Sequence, residues 1–78
     1  IHEPNIALVS KDSGLFHIKK IIKQSSKVLK NGGTLVIEHG HDQSEVVKEI
    51  FEKNYFSKII NIKDLQLIPR ITIGTLER

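Results

Sequence analysis

Asn31-Gly32-Gly33-Thr34-Leu35-Val36-Ile37-Glu38-His39-Gly40 is the stretch that decides the fold class. The paired glycines stop whatever precedes them, because glycine enters the left-handed backbone region without a Cβ penalty. The apolar run at residues 35–37 is continuous rather than alternating. That is the pattern of a strand covered on both faces by helices, as in a parallel sheet. Gly40 allows the chain to turn as soon as the strand ends.

Working upstream, Leu15, Ile18, Ile21, Ile22, Val28 and Leu29 recur at three- and four-residue spacing within residues 13–30, with Lys19, Lys23, Lys27 and Lys30 opposite. This predicts an amphipathic helix. Asp12 or Ser13 is placed to cap its first amides, and Lys27 and Lys30 suit its negative end. Residues 1–12 carry Pro4, Asn5, Ser10 and Asp12 without a sustained period and read as an ordered loop whose apolar part packs. Downstream, Asp42 followed by Glu45 resembles a capping box, Val46, Val47, Ile50 and Phe51 give the next helix its inward stripe, and Asn54 ends it. Residues 56–63 and 70–76 are β-branched, with Ile60/Ile62 and Ile71/Ile73 alternating around a loop that contains Pro69. They predict an antiparallel pair.

The order loop, helix, strand, helix, strand, strand is that of an α/β unit in which a helix joins strands of one sheet. A doubly buried strand at residues 35–37 would expose an apolar edge unless another strand lay beside it, so a neighbouring strand outside these elements is required. Residues 1–78 therefore read as one unit within a larger sheet. The chain contains no Met and starts at Ile1, which carries the same expectation of a longer protein.

Composition narrows the function classes. A chain of 78 residues buries only about 60–65% of its unfolded surface. It has no Cys, which excludes a disulfide scaffold, a zinc ribbon and a cysteine nucleophile, and points to a reducing cytoplasmic setting. A net charge of +3 argues for neither nucleic acid nor membrane partners. No apolar run approaches the roughly 18–20 residues of a membrane span, and no signal-peptide pattern opens the chain. The lysines of the first helix lack interleaved aromatic residues and read as a solvated face. Glu38, His39, His41 and Asp42 crowd one tight turn, where adjacent side chains do not reach tetrahedral geometry, so no metal site is expected.

Taken in order, Glu3-Pro4, Ala7-Leu8, Ser13-Gly14-Leu15, Gly32-Gly33, Glu38-His39-Gly40, Gln43 and the closing Arg70-Ile71-Thr72-Ile73-Gly74 form a series of motifs. In these the chain resembles the carboxyl-terminal part of the bacterial HemK/PrmC family, the protein-glutamine N5-methyltransferases that modify peptide chain release factors. The likeness runs over essentially all 78 residues and implies that the native carboxyl terminus is near Arg78. It implies a class I S-adenosylmethionine-dependent methyltransferase fold, a Rossmann-like doubly wound sheet of which this chain is the carboxyl-terminal half. The family's Gly-x-Gly-x-Gly cofactor loop and its Asn-Pro-Pro-Tyr substrate motif would both precede Ile1, and neither occurs in the chain. The resemblance thus places no catalytic or cofactor-binding residue here, and a fragment that does not bind S-adenosylmethionine alone.

What the resemblance does place here is a cleft rim. Ligands of open α/β sheets bind outside the carboxyl ends of the strands, which puts Glu38 and Gly40 at the rim and, through the loop after the Asn-Pro-Pro-Tyr motif, Glu3 and Pro4. Glu38 has a second reading as a local acceptor of turn amides, and Glu3-Pro4 one as a structural loop. The implied partners are release factors, met through the intact enzyme, and the missing amino-terminal half of the same domain. Two alternatives stand beside this: a fragment of a related methyltransferase acting on nucleic-acid amino groups, and a non-catalytic assembly module that needs a partner along its open edge. Leu67, Ile68 and Pro69 depart from a family loop that is usually polar and glycine-containing, and Asn54 stands where glycine commonly ends the helix.

Overall fold

A computed structural model describes residues 2, 3, 5–9 and 14–78. Among these residues the elements are β1 (His2–Glu3), β2 (Ile6–Val9), α1 (Leu15–Val28), β3 (Thr34–Glu38), α2 (Ser44–Lys53), β4 (Phe56–Lys63) and β5 (Pro69–Leu76), and the described strands form one sheet in the order β1-β2-β3-β5-β4. β2 runs parallel to β3 with Ala7 opposite Leu35, while β5 runs antiparallel to β3 with Gly74 opposite Leu35. β4 is antiparallel to β5 and hence parallel to β3, so α2 carries the chain over β5 to the sheet's far edge. The α/β class, the antiparallel last pair and the helix joining parallel strands follow the sequence reading.

Two expectations are corrected. The apolar residues of the supposed entry loop are a strand, so β3 is already paired along both edges within this chain and needs no strand from outside. Nor is β3 covered on both faces. Leu35 and Ile37 are fully buried beneath Ile18, Ile22, Val47 and Phe51, whereas Thr34, Val36 and Glu38 on the opposite face are only half-buried. Both helices lie on one side. The register lines up Leu8, Val36, Ile73 and Ile60 across four strands on the bare face, where Leu8 keeps 45% and Ile60 56% of its surface. A run of apolar residues reads the same whether one face or two are covered, and only the number of helices distinguishes the cases.

Helix details also shift. In α1 the buried positions are Ile18, Ile22, Ser25 and Ser26, with Leu29 just beyond, while Leu15 and Val28 face solvent. The N-cap is Gly14, without a side-chain cap; Asp12 and Ser13 lie outside the described residues. Fully burying each large aliphatic or aromatic side chain contributes about 1.5–3 kcal/mol, so this small core leans on few residues. In α2, Val47, Ile50 and Phe51 are buried and Val46 is not. The predicted capping box does not form: Gln43 is the N-cap, and its side chain turns back to Gly40 instead.

The carboxyl end of α1 is closed from a distance. Gly32 takes a φ of 88°, the left-handed residue anticipated after the helix. The Arg78 guanidinium donates to the carbonyls of Ser26 and Leu29, and the Arg78 amide donates to Asn31 Oδ1 at 2.7 Å. α2 ends at Asn54, as read, but the left-handed conformation falls on Tyr55 with φ 70°. Among the described residues, no helix is long and apolar enough to cross a membrane.

Candidate functional site

The rim residues are set by how β3 ends. The His39 amide donates to the Arg70 carbonyl at 2.9 Å, extending the β3–β5 ladder one residue past Glu38. Strand alternation then sends successive side chains to opposite faces. Glu38, opposite Ile71, lies half-buried on the bare face, while His39 turns inward and keeps only 1% of its surface.

The turn that follows is held by side chains. Gln43 Oε1 accepts the Gly40 amide at 2.9 Å, and the Gln43 amide donates to the Gly40 carbonyl at 3.1 Å. His39 Nδ1 lies 2.8 Å from that same carbonyl, and its Nε2 lies 2.7 Å from Thr72 Oγ1. Asn61 Nδ2 donates to Thr72 Oγ1 at 2.9 Å. A Cβ on Gly40 would come within 3.2 Å of Asp42 Oδ1, so a side chain there would require the exposed Asp42 carboxylate to shift by a few tenths of an ångström.

With the Gly40 and His39 amides committed elsewhere, the reading of Glu38 as an acceptor of turn amides does not hold. Among the described residues no hydrogen bond or ion pair reaches its carboxylate. Both ring nitrogens of His39 are engaged by protein atoms, and no three His, Cys, Asp or Glu among the described residues converge as a metal site would require.

Of the residues singled out in the sequence, Glu38, Gly40, Gln43 and Arg70 come together at this end of β3. Glu3 does not join them: its backbone pairs with Ile6, which pairs with Thr34 at the other end of β3, about 13 Å away at the rise of a strand. Pro4 lies outside the described residues. Ala7 is buried against the core and Leu8 stands on the bare face. Gly33 is buried and bridges strand and turn, its carbonyl accepting the Leu76 amide at 2.8 Å. Gly74 makes room for Phe51, whose Cδ2 lies 2.5 Å from where a Cβ would stand.

The sequence reading missed the Asn61, Thr72 and His39 chain. The signal available was a polar Thr72 at an inward position between Ile71 and Ile73, but its partner lies 33 residues away. It also missed how Asp64 builds the β4–β5 turn. Asp64 Oδ1 accepts the amides of Gln66 (2.8 Å) and Ile68 (3.0 Å), and Oδ2 accepts from Arg70 Nε at 3.1 Å. The Ile68 amide first, then the Arg70 guanidinium and the Gln66 amide, hold this carboxyl below the usual aspartate range against an opposing desolvation effect.

No protein-family profile matches the chain. Among curated proteins it is 40% identical over 72 residues to the release factor glutamine methyltransferase of Pasteurella multocida, covering 92% of this chain and 24% of that protein. The proteins of the same name from Buchnera aphidicola and Escherichia coli are 43% and 39% identical over 72 residues, each covering 92% of this chain and 26% of the relative. Over these residues the chain is similar to the release factor glutamine methyltransferases. It spans about a quarter of the length of the curated relatives it matches. In structure it resembles the crystal structure of a release factor-specific protein-(glutamine-N5) methyltransferase from Alicyclobacillus acidocaldarius, with a TM-score of 0.74 at 23% identity. That likeness covers 95% of this chain and 49% of the other, and it supports the Rossmann-like methyltransferase fold.

Proposed function

We propose that residues 1–78 are the carboxyl-terminal part of a release factor glutamine methyltransferase domain, supplying the distal half of its sheet and one rim of its cleft, and inactive alone. The observation that carries this reading is the match itself: nine-tenths of the chain aligns, yet only a quarter of each relative is covered. The bare sheet face supports it independently. Doubly wound sheets carry helices on both sides, and Leu8, Val36, Ile73 and Ile60 form the apolar surface on which a second helical layer from the amino-terminal part would pack.

S-adenosylmethionine, when bound to the intact enzyme, supplies an electrophilic methyl group for the side-chain amide nitrogen of a glutamine. The described residues do not fit that cofactor. Its described strand-to-helix turn holds a single glycine, Gly40, whose amide is already taken by Gln43. On this reading the cofactor belongs to the other part of the domain, and no step of methyl transfer is assigned to residues here. Glu38 and Gly40 remain as the rim that faces substrate, at the carboxyl end of β3 where α/β sheets bind ligands. Positioning of an amide against the methyl donor accounts for most of such a catalysis, and a rigid rim serves that end. The reading places the protein in the cytoplasm with release factors as its partners.

The test is a chimera in which this chain replaces the aligned residues of the Escherichia coli relative. The expected result is transfer of labelled methyl from S-adenosylmethionine to a release factor. A chimera that is folded by circular dichroism but inactive, or that methylates only RNA or DNA, overturns the assignment. The isolated chain should show no heat of binding with S-adenosylmethionine; tight binding would place the cofactor site wrongly.

A further inference from the structure

The fully buried histidine at the end of β3 has a definite hydrogen-bond polarity. A carbonyl oxygen only accepts, so the 2.8 Å contact to Gly40 requires a hydrogen on His39 Nδ1. In a neutral ring Nε2 is then an acceptor, and the hydrogen of its 2.7 Å contact must come from the Thr72 hydroxyl. Thr72 Oγ1 in turn accepts from Asn61 Nδ2 at 2.9 Å. The chain Asn61 to Thr72 to His39 to the Gly40 carbonyl runs in one direction, with each of these bonds given one donor and one acceptor. It ties β4, β5 and the turn after β3 together.

We propose that His39 is a positioning residue: held in the Nδ1–H tautomer by the Gly40 carbonyl and anchored through Nε2 by Thr72, it fixes the Gly40 turn and thereby the outward placement of Glu38. Glu38 and His39 are consecutive, so a ring that cannot rotate holds the strand alternation that presents Glu38 on the bare face. Gln43 pins Gly40 from the other side, through the amide. Buried polar groups joined in a complete network restrict the local backbone to one arrangement. The link from this clamp to methyl transfer rests on the function proposed above; the clamp itself does not.

The test separates the two. Long-range proton–nitrogen correlation spectra of the chain should show His39 as a single Nδ1–H tautomer; an Nε2–H ring, or averaged nitrogen shifts from whatever cause, overturns the proposal. Thr72→Val removes the donor while keeping the shape. It should shift the His39 Nε2 resonance, which loses its donor while the Gly40 carbonyl keeps the hydrogen on Nδ1, and speed hydrogen exchange at the Gly40 amide by about tenfold, the effect of losing one hydrogen bond. Thr72→Ser keeps the hydroxyl and should restore both readings. In the chimera, Thr72→Val should raise KM for the release factor more than it lowers kcat, again with rescue by Thr72→Ser. If the Nε2 contact is lost but KM and kcat are unchanged, the positioning role is wrong and the family assignment stands. If the parent chimera is inactive, the assignment fails and the spectra still decide the clamp.

Discussion

Substituting Gly74→Ala sets two opposing effects against each other, and the structure says which wins. Gly74 has no left-handed φ to lose, so alanine would reduce the entropy of the unfolded chain and contribute about 0.4–1 kcal/mol of stability. Against this, the new Cβ would stand 2.5 Å from Phe51 Cδ2, 2.8 Å from Phe51 Cε2 and 3.4 Å from Phe56 Cβ. Phe51 has no room to retreat: it is fully buried, and its ring lies 5.2 Å from that of Phe56. Overpacking of a filled core costs about 1–3 kcal/mol, and a clash with a ring edge belongs at the upper end. The net effect is a loss of about 2 kcal/mol, or a fall in Tm of roughly 8–16 °C for a domain of this size. Thermal unfolding followed by circular dichroism measures it. Pairing the change with Phe51→Leu, which removes the ring edge, should recover about 1 kcal/mol relative to the sum of the single changes. A Gly74→Ala variant as stable as the parent, or strict additivity with Phe51→Leu, refutes the steric argument.

Leu67 and Tyr55 hold φ angles of 63° and 70° while largely exposed. Left-handed backbone costs a non-glycine residue about 1–2 kcal/mol and glycine's extra unfolded freedom about 0.5–1 kcal/mol, so Leu67→Gly and Tyr55→Gly should each stabilise by about 0.5–1 kcal/mol in urea titrations. Arg78→Ala strips two carbonyl contacts from the end of α1 and should cost about 1 kcal/mol, with faster amide exchange confined to the last turn of that helix. The Asp64 carboxyl, held low by the Ile68 amide and then Arg70, should titrate below the ordinary aspartate range in carbon-detected NMR. Because the folded-state pKa is depressed, its support of the β4–β5 turn is present at neutral pH and is lost as pH falls through that lowered value; a midpoint at or above the ordinary range refutes this.

Loop chemistry explains why one anticipated irregularity came out as it did. Leu67, Ile68 and Pro69 replace a polar, glycine-containing loop, and the turn still closes because Asp64 Oδ1 accepts two of its amides and Oδ2 pairs with Arg70. The residue that glycine would have eased is Leu67, which carries the positive φ. At the end of α2 the same reasoning pointed to Asn54, but that side chain bonds back to the Ile50 carbonyl at 2.8 Å and leaves the left-handed position to Tyr55. Boundary residues of a helix are decided by such single bonds, which spacing does not encode.

The positions of α1, α2, β3, β4 and β5, the Gly32 turn and the antiparallel final pair were all legible in the order of residues, since each rests on a local period or a local conformational preference. The likeness to the methyltransferase family was legible too, because its motifs occur in order along the chain. The rest depended on the folded whole. Four apolar residues at Ile6–Val9 carry no period of their own and become a strand only through pairing with β3. Whether β3 is covered on one face or two depends on where both helices dock, and the bond between His39 and Thr72 joins residues 33 apart. Contacts of that range are specified by packing, which no window of neighbouring residues contains.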